Sequence, residues 1–379
     1  MRFHTDAEGW TIAHRRRDGV GPPLLFLNAL GSDQSIWDAV IAHLPRGRAV
    51  LTCDLPGHGL SPAAPEAPTI EGIARAVLRW LDALDIGLVV PCGLSVGGMI
   101  AQGMAAAAPD RCAALVLVCT APRIGTAARW NDRIARVEHE GMAATAPEIL
   151  DAWFPPAFRR DRPDDWLGAR TMLERVPPAA YAALCAAIRD ADLADETAAI
   201  AVPTLCIAGN HDASVPPDAV AAMAAAMPDA AAVTLPTGHL PCLEAPEALA
   251  DAIRTMLPAR DGPSTRRAVL GTDHVKRAEA ARTDLTGPFQ DLITDGAWGA
   301  VWASDAITPR ERSMLTLALL AAQGNWDEIA MHVRATARTG ATPTDVQQAF
   351  QHVAVYAGVP RANHALRIAR DVLREMDDG

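Results

Sequence analysis

The stretch "GLVVPCGLSVGG", Gly87–Gly98, decides how the front two-thirds of the chain is read. An apolar run ending at Cys92 has the length of a buried strand, and an Ala-rich helical pattern follows from Val96 to Ala108. Between them sits G-x-S-x-G with Ser95 in the middle. A strand that turns straight into a helix holds such a serine in a strained position, and Gly93 and Gly97 let the two elements approach closely. A serine hydroxyl is a weak nucleophile unless a base takes its proton, so a His and an acid should follow.

They do, in the order Ser, Asp, His. "GNHDASVP" puts Asp212 just after the strand-like run "PTLCIAGN", and "PTGHLPCLEAP" puts His239 after "AAVTLP" and before a helix. Upstream, "PLLFLNALG", "AVLTCDLPGHG" and "CAALVLVCT" complete a set of Leu- and Val-rich runs alternating with helical patterns, the signature of a parallel sheet with helical crossovers. The alternation breaks from about 121 to 198, where Trp, Arg and Pro are scattered among helical segments. Helices inserted between two strands of such a sheet read as a lid over the strand ends. Charge developing on an attacked carbonyl needs two backbone N–H donors. Val96 is expected to supply one and Leu30, in the loop "LNALGS", the other. His58 in "DLPGHG" reads as structural.

Residues 257–271, "LPARDGPSTRRAVLG", are polar and Pro/Gly-punctuated, and a linker is expected at 259–265 between a domain over 1–258 and a second over 266–379. The second is expected to be all-α, with helical patterns at 310–323, 326–339, 343–357 and 361–375. Its "GNWDEIAMHVR" places Glu328 and His332 four residues apart, on one helix face. That spacing fits an exposed pair, or a carboxylate that orients an imidazole for proton transfer. A metal site would need further ligands, and His352 and His364 are weakly placed for it.

Bulk numbers exclude other classes. With a formal net charge of -11, sequence-independent binding to nucleic acid or anionic lipid is not expected. No apolar stretch is long enough to span a bilayer, and "MRFHTDAEGW" lacks the apolar core of a signal peptide. The seven Cys show no disulfide or zinc spacing, so reduced thiols in the cytoplasm are expected. Lys276 is the one lysine, which leaves Arg as nearly the only fixed cation for an anionic substrate.

On "FLNALGSDQSIWD", "CDLPGHGLS", "GLSVGGMIAQ", "RIGTAARWNDRI" and "TGHLPCLEAPE", residues 10–257 resemble the α/β-hydrolase fold and, within it, the 3-oxoadipate enol-lactonases. Asn28 stands where many such enzymes have His. The resemblance implies hydrolysis of a small carboxylated enol lactone by Ser95, His239 and Asp212. It also implies a lid supplying substrate contacts, here Arg123, Arg129, Trp130 and Arg133.

Residues 264–375 resemble 4-carboxymuconolactone decarboxylase on "FQDLITDGAWGAVW", "RERSMLTLALLAA" and "TPTDVQQAFQHVAVYAGVPRANHA". The wider superfamily includes peroxidase-like members with C-x-x-C-x-x-x-H. "NWDEIAMH" puts Asn325 and Glu328 at the Cys positions and keeps His332, so acid–base chemistry is implied instead of thiol redox. His332 would deliver a proton, Glu328 would orient the imidazole or act as its partner base, and Arg310 or Arg334 would hold a carboxylate. The lactone is its own electron sink, so no cofactor and no metal are expected. The resemblances together imply one chain running two consecutive steps, decarboxylation then lactone hydrolysis, as a homo-oligomer assembled through the rear domain. The alternative is an esterase or lactonase of other specificity whose rear domain serves only assembly.

Overall fold

A computed structural model of the protein describes residues 1–257, 262–304 and 306–377, without the side chains of Val20 and Asp377. The chain divides into two compact units. The first comprises Met1–Arg16, Pro22–Leu44 and Val50–Leu257; the second comprises Arg17–Gly21, Pro45–Ala49 and the chain beyond Leu257.

The first unit is built on an eight-stranded sheet: β1 (Arg2–Thr5), β2 (Thr11–Arg17), β3 (Val20–Leu27), β4 (Arg48–Cys53), β5 (Val90–Leu94), β6 (Leu115–Val118), β7 (Thr204–Gly209) and β8 (Ala230–Leu235). Its order is β1-β2-β4-β3-β5-β6-β7-β8. β1 and β2 pair antiparallel, while β3, β5, β6, β7 and β8 run parallel, with Phe26 opposite Cys92 and Cys92 opposite Val116. Strands β4 to β7 are buried along their whole length, which is why they read as continuous apolar runs rather than alternating ones. Between β6 and β7 the chain forms helices Ala127–Glu140, Met142–Trp153, Pro156–Asp161, Pro163–Glu174, Pro178–Asp190 and Ala194–Ala198, within the span 121–198. Thr126 caps the first of them by accepting from Arg129 N.

Every described element after Leu257 is helical. Helices Pro309–Gln323, Trp326–Thr339, Pro343–Tyr356 and Val359–Asp377 enclose a core of Leu317, Ile329, Val333, Phe350, Val353 and Ala365. Two start on the same device: Thr308 with Glu311, and Thr342 with Asp345, each close a capping box ahead of a proline. Ahead of these lie helices Gly262–Leu270, Thr272–Ala280 and Gly287–Ile293, then a π-helical segment Thr294–Trp302. They bury Val269, Leu270, Trp298 and Trp302 against Ala335. The linker expected at 259–265 is corrected in part: 259–261 lie outside the described residues, but 262–265 open a helix with Thr265 and Arg266 buried. Tertiary packing overrides a locally polar, Pro/Gly-rich reading there.

Candidate active sites

Ser95 sits between β5 and helix Val96–Ala107 at φ 56°, ψ -120°, a region that non-glycine residues seldom occupy. Surrounding bonds hold it there. Ser95 N donates to Val118 O at 2.9 Å, and Thr120 Oγ1 donates to Ser95 O at 2.7 Å. The flanking glycines are dictated by space. A Cβ on Gly93 would lie 2.2 Å from Gly97 O, and one on Gly97 would lie 2.4 Å from Leu27 O. The strand, the helix and the end of β3 therefore touch backbone to backbone, and this brings Ser95 close to the loop that follows β3.

That loop is shaped by Asn28. Its amide donates to Ala29 O and Ser32 O, and its Oδ1 accepts from Leu55 N at 3.3 Å. Leu30, at the tip, lines one cavity with Ser95 and His239. His239 Nδ1 lies 2.7 Å from Asp212 Oδ2, while Asp212 Oδ1 accepts from Ser214 N (2.7 Å) and Val215 N (2.9 Å). With Nδ1–H engaged by the carboxylate, Nε2 is the nitrogen left to accept a proton. The His239 N–H donates to Trp153 O at 2.7 Å, so the helix ending at Trp153 takes part in holding the imidazole.

The cavity is also lined by Ile124, Arg129, Trp130, Arg133, Trp153 and Tyr181. Arg133 lies within reach of Tyr181 Oη and Glu148 Oε1, both at 3.3 Å, and Trp130 Nε1 donates to Ile124 O. Two guanidinium groups beside Ile124, Trp130, Ile149 and Trp153 favour a small anion. Arg123 is a correction: it pairs with Asp192, its side chain is 65% exposed, and it does not line this cavity. Two residues beside the site carried no sequence signal of their own. Cys119, after β6 at φ 46°, is fully buried, and burial and Asp212 push its thiol well above the usual value. Among the described residues, Cys119, Asp212 and His239 form the one group with metal-ligating atoms within 4.8 Å of one another. A protonated thiol and a carboxylate already bonded to imidazole make poor ligands. The second residue is Glu244, whose two oxygens each lie 2.9 Å from Gly238 N. His58 is buried, with Nδ1 3.0 Å from Pro56 O, and burial lowers its pKa to about 4.

In the second unit His332 is buried, stacks on Trp302 at 6.0 Å between ring centroids, and has an Nδ1 without a hydrogen-bond partner among the described residues. Burial and the nearby His274 lower its pKa to about 4, so the imidazole is neutral at pH 7. The Glu328–His332 bond expected from helical spacing is corrected: Glu328 is exposed and no hydrogen bond joins the two. Sharing a helix face places two residues side by side without forcing their side chains to meet. Arg310 is corrected as well. Its Nε and Nη2 hold Asp345 at 2.8 and 2.5 Å, the aspartate that closes the Thr342 capping box, so its fork is spent on structure. Arg334 pairs with Glu375 at 2.6 Å and, with His274, Arg277 and Arg338, lines an open cleft of this unit.

Comparison with known proteins agrees with this division. The α/β hydrolase fold family matches residues 22–246, and the carboxymuconolactone decarboxylase family matches residues 287–371. Over 192 residues the chain is 33% identical to 3-oxoadipate enol-lactonase 2 of Acinetobacter baylyi, covering 50% of this chain and 72% of that one. Over 117 residues it is 35% identical to the 4-carboxymuconolactone decarboxylase of the same organism, covering 31% of this chain and 87% of that one. The crystal structure of the enol-lactonase from Burkholderia xenovorans superposes with a TM-score of 0.64 at 32% identity, over 65% of this chain and 96% of that one. The chain belongs to the α/β hydrolase fold family and carries, on its C-terminal side, a domain of the carboxymuconolactone decarboxylase family.

Proposed function

We propose that the chain is a bifunctional enzyme that decarboxylates 4-carboxymuconolactone and then hydrolyses the resulting 3-oxoadipate enol-lactone to 3-oxoadipate. The observation that carries the hydrolytic half is the strained Ser95 sharing a cavity with His239, itself 2.7 Å from Asp212. His239 Nε2 takes the proton as Ser95 Oγ attacks the lactone carbonyl. Val96 N–H and Leu30 N–H receive the oxyanion. Collapse breaks the ring C–O bond, the enol oxygen leaves with the proton from His239, and an acyl-enzyme remains. His239 then deprotonates water to release the diacid, and the freed enol ketonises. Arg129 and Arg133, with Trp130, hold the substrate carboxylate.

In the decarboxylation, the bond to the departing carboxylate breaks and its electrons pass through the ring double bond into the lactone carbonyl. The dienolate is quenched by a proton on the α-carbon. His332 handles that proton. Neutral in the unliganded chain, it gains basicity when a substrate carboxylate arrives beside it, because an opposite charge favours the imidazolium. Glu328, exposed one turn away on the same helix, is its partner in this reading, and Arg334 supplies a carboxylate contact.

Homo-oligomer formation through the rear domain is supported by its exposed apolar side chains. Leu285, Phe289, Leu292, Leu315, Leu319, Val355 and Tyr356 are each more than half exposed. Seven free, buried cysteines support a reducing, cytoplasmic setting. Among the described residues no helix is long and apolar enough to cross a membrane. The test is to give the purified chain each lactone separately, following CO2 release from one and ring opening of the other. Both should proceed. A chain that opens the enol lactone but releases no CO2 would reduce the rear domain to assembly, and one that opens neither would end the proposal.

A further inference from the structure

The loop that carries His239 is gripped at several points, and one grip is ionisable. Gly238 and His239 follow β8 by way of Thr237, with no regular structure of their own. The His239 N–H is tied to Trp153 O, and the Gly238 N–H points between both oxygens of Glu244 at 2.9 Å each. Space enforces the arrangement. A Cβ on Gly238 would fall 2.4 Å from Trp153 O and 3.2 Å from Glu244 Oε1. Glu244 itself closes the short helix Pro241–Glu244, and Arg162 Nη1, from the lid, donates to the carbonyls of Leu243 (2.6 Å) and Glu244 (3.2 Å).

We infer that Glu244 is a positioning residue of the hydrolase site: its carboxylate fixes the Thr237–Gly238 peptide just ahead of His239 and places a negative charge near the imidazole that Ser95 uses. The inference rests on the hydrolase reading of Ser95. A carboxylate that receives a peptide N–H on both oxygens holds that peptide more firmly than a neutral acceptor does. The same charge stabilises the imidazolium that forms when Ser95 attacks. The titratable and charged groups around it are Asp212, His239, Cys242 and the Arg162 guanidinium. Burial raises the Glu244 carboxyl to about 7, against the pull of the Gly238 N–H and His239, so the grip changes charge within the working range of a hydrolase.

The test compares wild type with Glu244→Gln and Glu244→Asp by two readouts. One is the labelling rate of Ser95 by a fluorophosphonate probe, which needs no assumption about the natural lactone. The other is hydrolysis of p-nitrophenyl acetate from pH 5.5 to 9. In Glu244→Gln, labelling and kcat should fall about tenfold, as for loss of a charged hydrogen-bond partner, with KM within about twofold. The acid limb of kcat/KM should move to lower pH, since Glu244→Gln removes the group beside the site that gains a proton near pH 7. Glu244→Asp should recover part of both effects. Labelling at the wild-type rate, or a slower rate with an unmoved acid limb, would overturn the inference. Absence of labelling in wild type would instead sink the hydrolase reading itself.

Discussion

Replacing Gly97 by alanine probes the nucleophile turn with a single methyl group. The added Cβ would sit 2.4 Å from Leu27 O and 2.7 Å from Asn28 O, about 1 Å short of ordinary van der Waals contact. Both neighbours are backbone at the end of β3, so no side chain can swing away. Relief requires β3 and helix Val96–Ala107 to separate. Overpacking of this kind costs about 1–3 kcal/mol, and contact with rigid backbone on one whole side places Gly97→Ala at the upper end. The same movement separates the Val96 N–H from the Leu30 N–H, because Val96 adjoins Gly97 and Leu30 lies two residues past Asn28. A misplacement of about 1 Å is worth roughly 100-fold in rate. The assay pairs urea unfolding with kcat on p-nitrophenyl acetate. Gly168→Ala serves as the control, since nothing lies within 4 Å of its Cβ, and an open helical site gains about 0.5–1 kcal/mol from the change. Stability within about 0.5 kcal/mol of wild type and kcat within about threefold in Gly97→Ala would refute the packing argument.

Two further predictions concern the rear domain. His332, held near pKa 4 when folded against about 6.5 when unfolded, takes up its proton more readily in the unfolded chain. Stability is therefore lost as pH falls from about 6.5 to 4, by an amount on the order of 3 kcal/mol, and His332→Leu should flatten that decline in urea titrations at pH 7 and pH 5; an unchanged decline would count against the burial argument. Asp345 is held well below the usual carboxylate range, chiefly by Arg310 and also by Thr342. Its stabilisation is full above about pH 4 and fades as pH falls below that. Asp345→Asn should cost about 1 kcal/mol at pH 7, with the half-exposed Arg310 adding little, and the gap to wild type should narrow steadily as pH falls below about 4.

Much of this was legible because certain residues admit one explanation. Gly93, Ser95 and Gly97 are required by a turn in which three backbones touch, and Asp212 and His239 follow strands whose uninterrupted burial leaves a plain apolar signature. The rear helices announce themselves by T-P-x-E and T-P-x-D at 308–311 and 342–345. Other features were not legible. β1 is a short, mostly exposed edge strand, and β2 beside it ends in three Arg and buries only Ile12–His14, so neither gives a continuous apolar run. Gly262–Leu270 reads as linker because its burial comes from the π-helical segment and from the helix around Ala335. Arg310 carries the right charge for substrate but finds Asp345 first, and Glu328 shares a helix face with His332 without a hydrogen bond to it. Glu244 hides five residues past His239, and its grip on Gly238 exists only in three dimensions.

The central claim, two chemistries on one chain with Ser95 serving only the second, is tested by following 4-carboxymuconolactone through wild type and Ser95→Ala by NMR. Wild type should deliver 3-oxoadipate. Ser95→Ala should consume the starting lactone at the wild-type rate and accumulate the enol lactone, which then decays only by slow spontaneous hydrolysis. A mutant that leaves the starting lactone untouched, or still delivers 3-oxoadipate at the wild-type rate, would contradict the account.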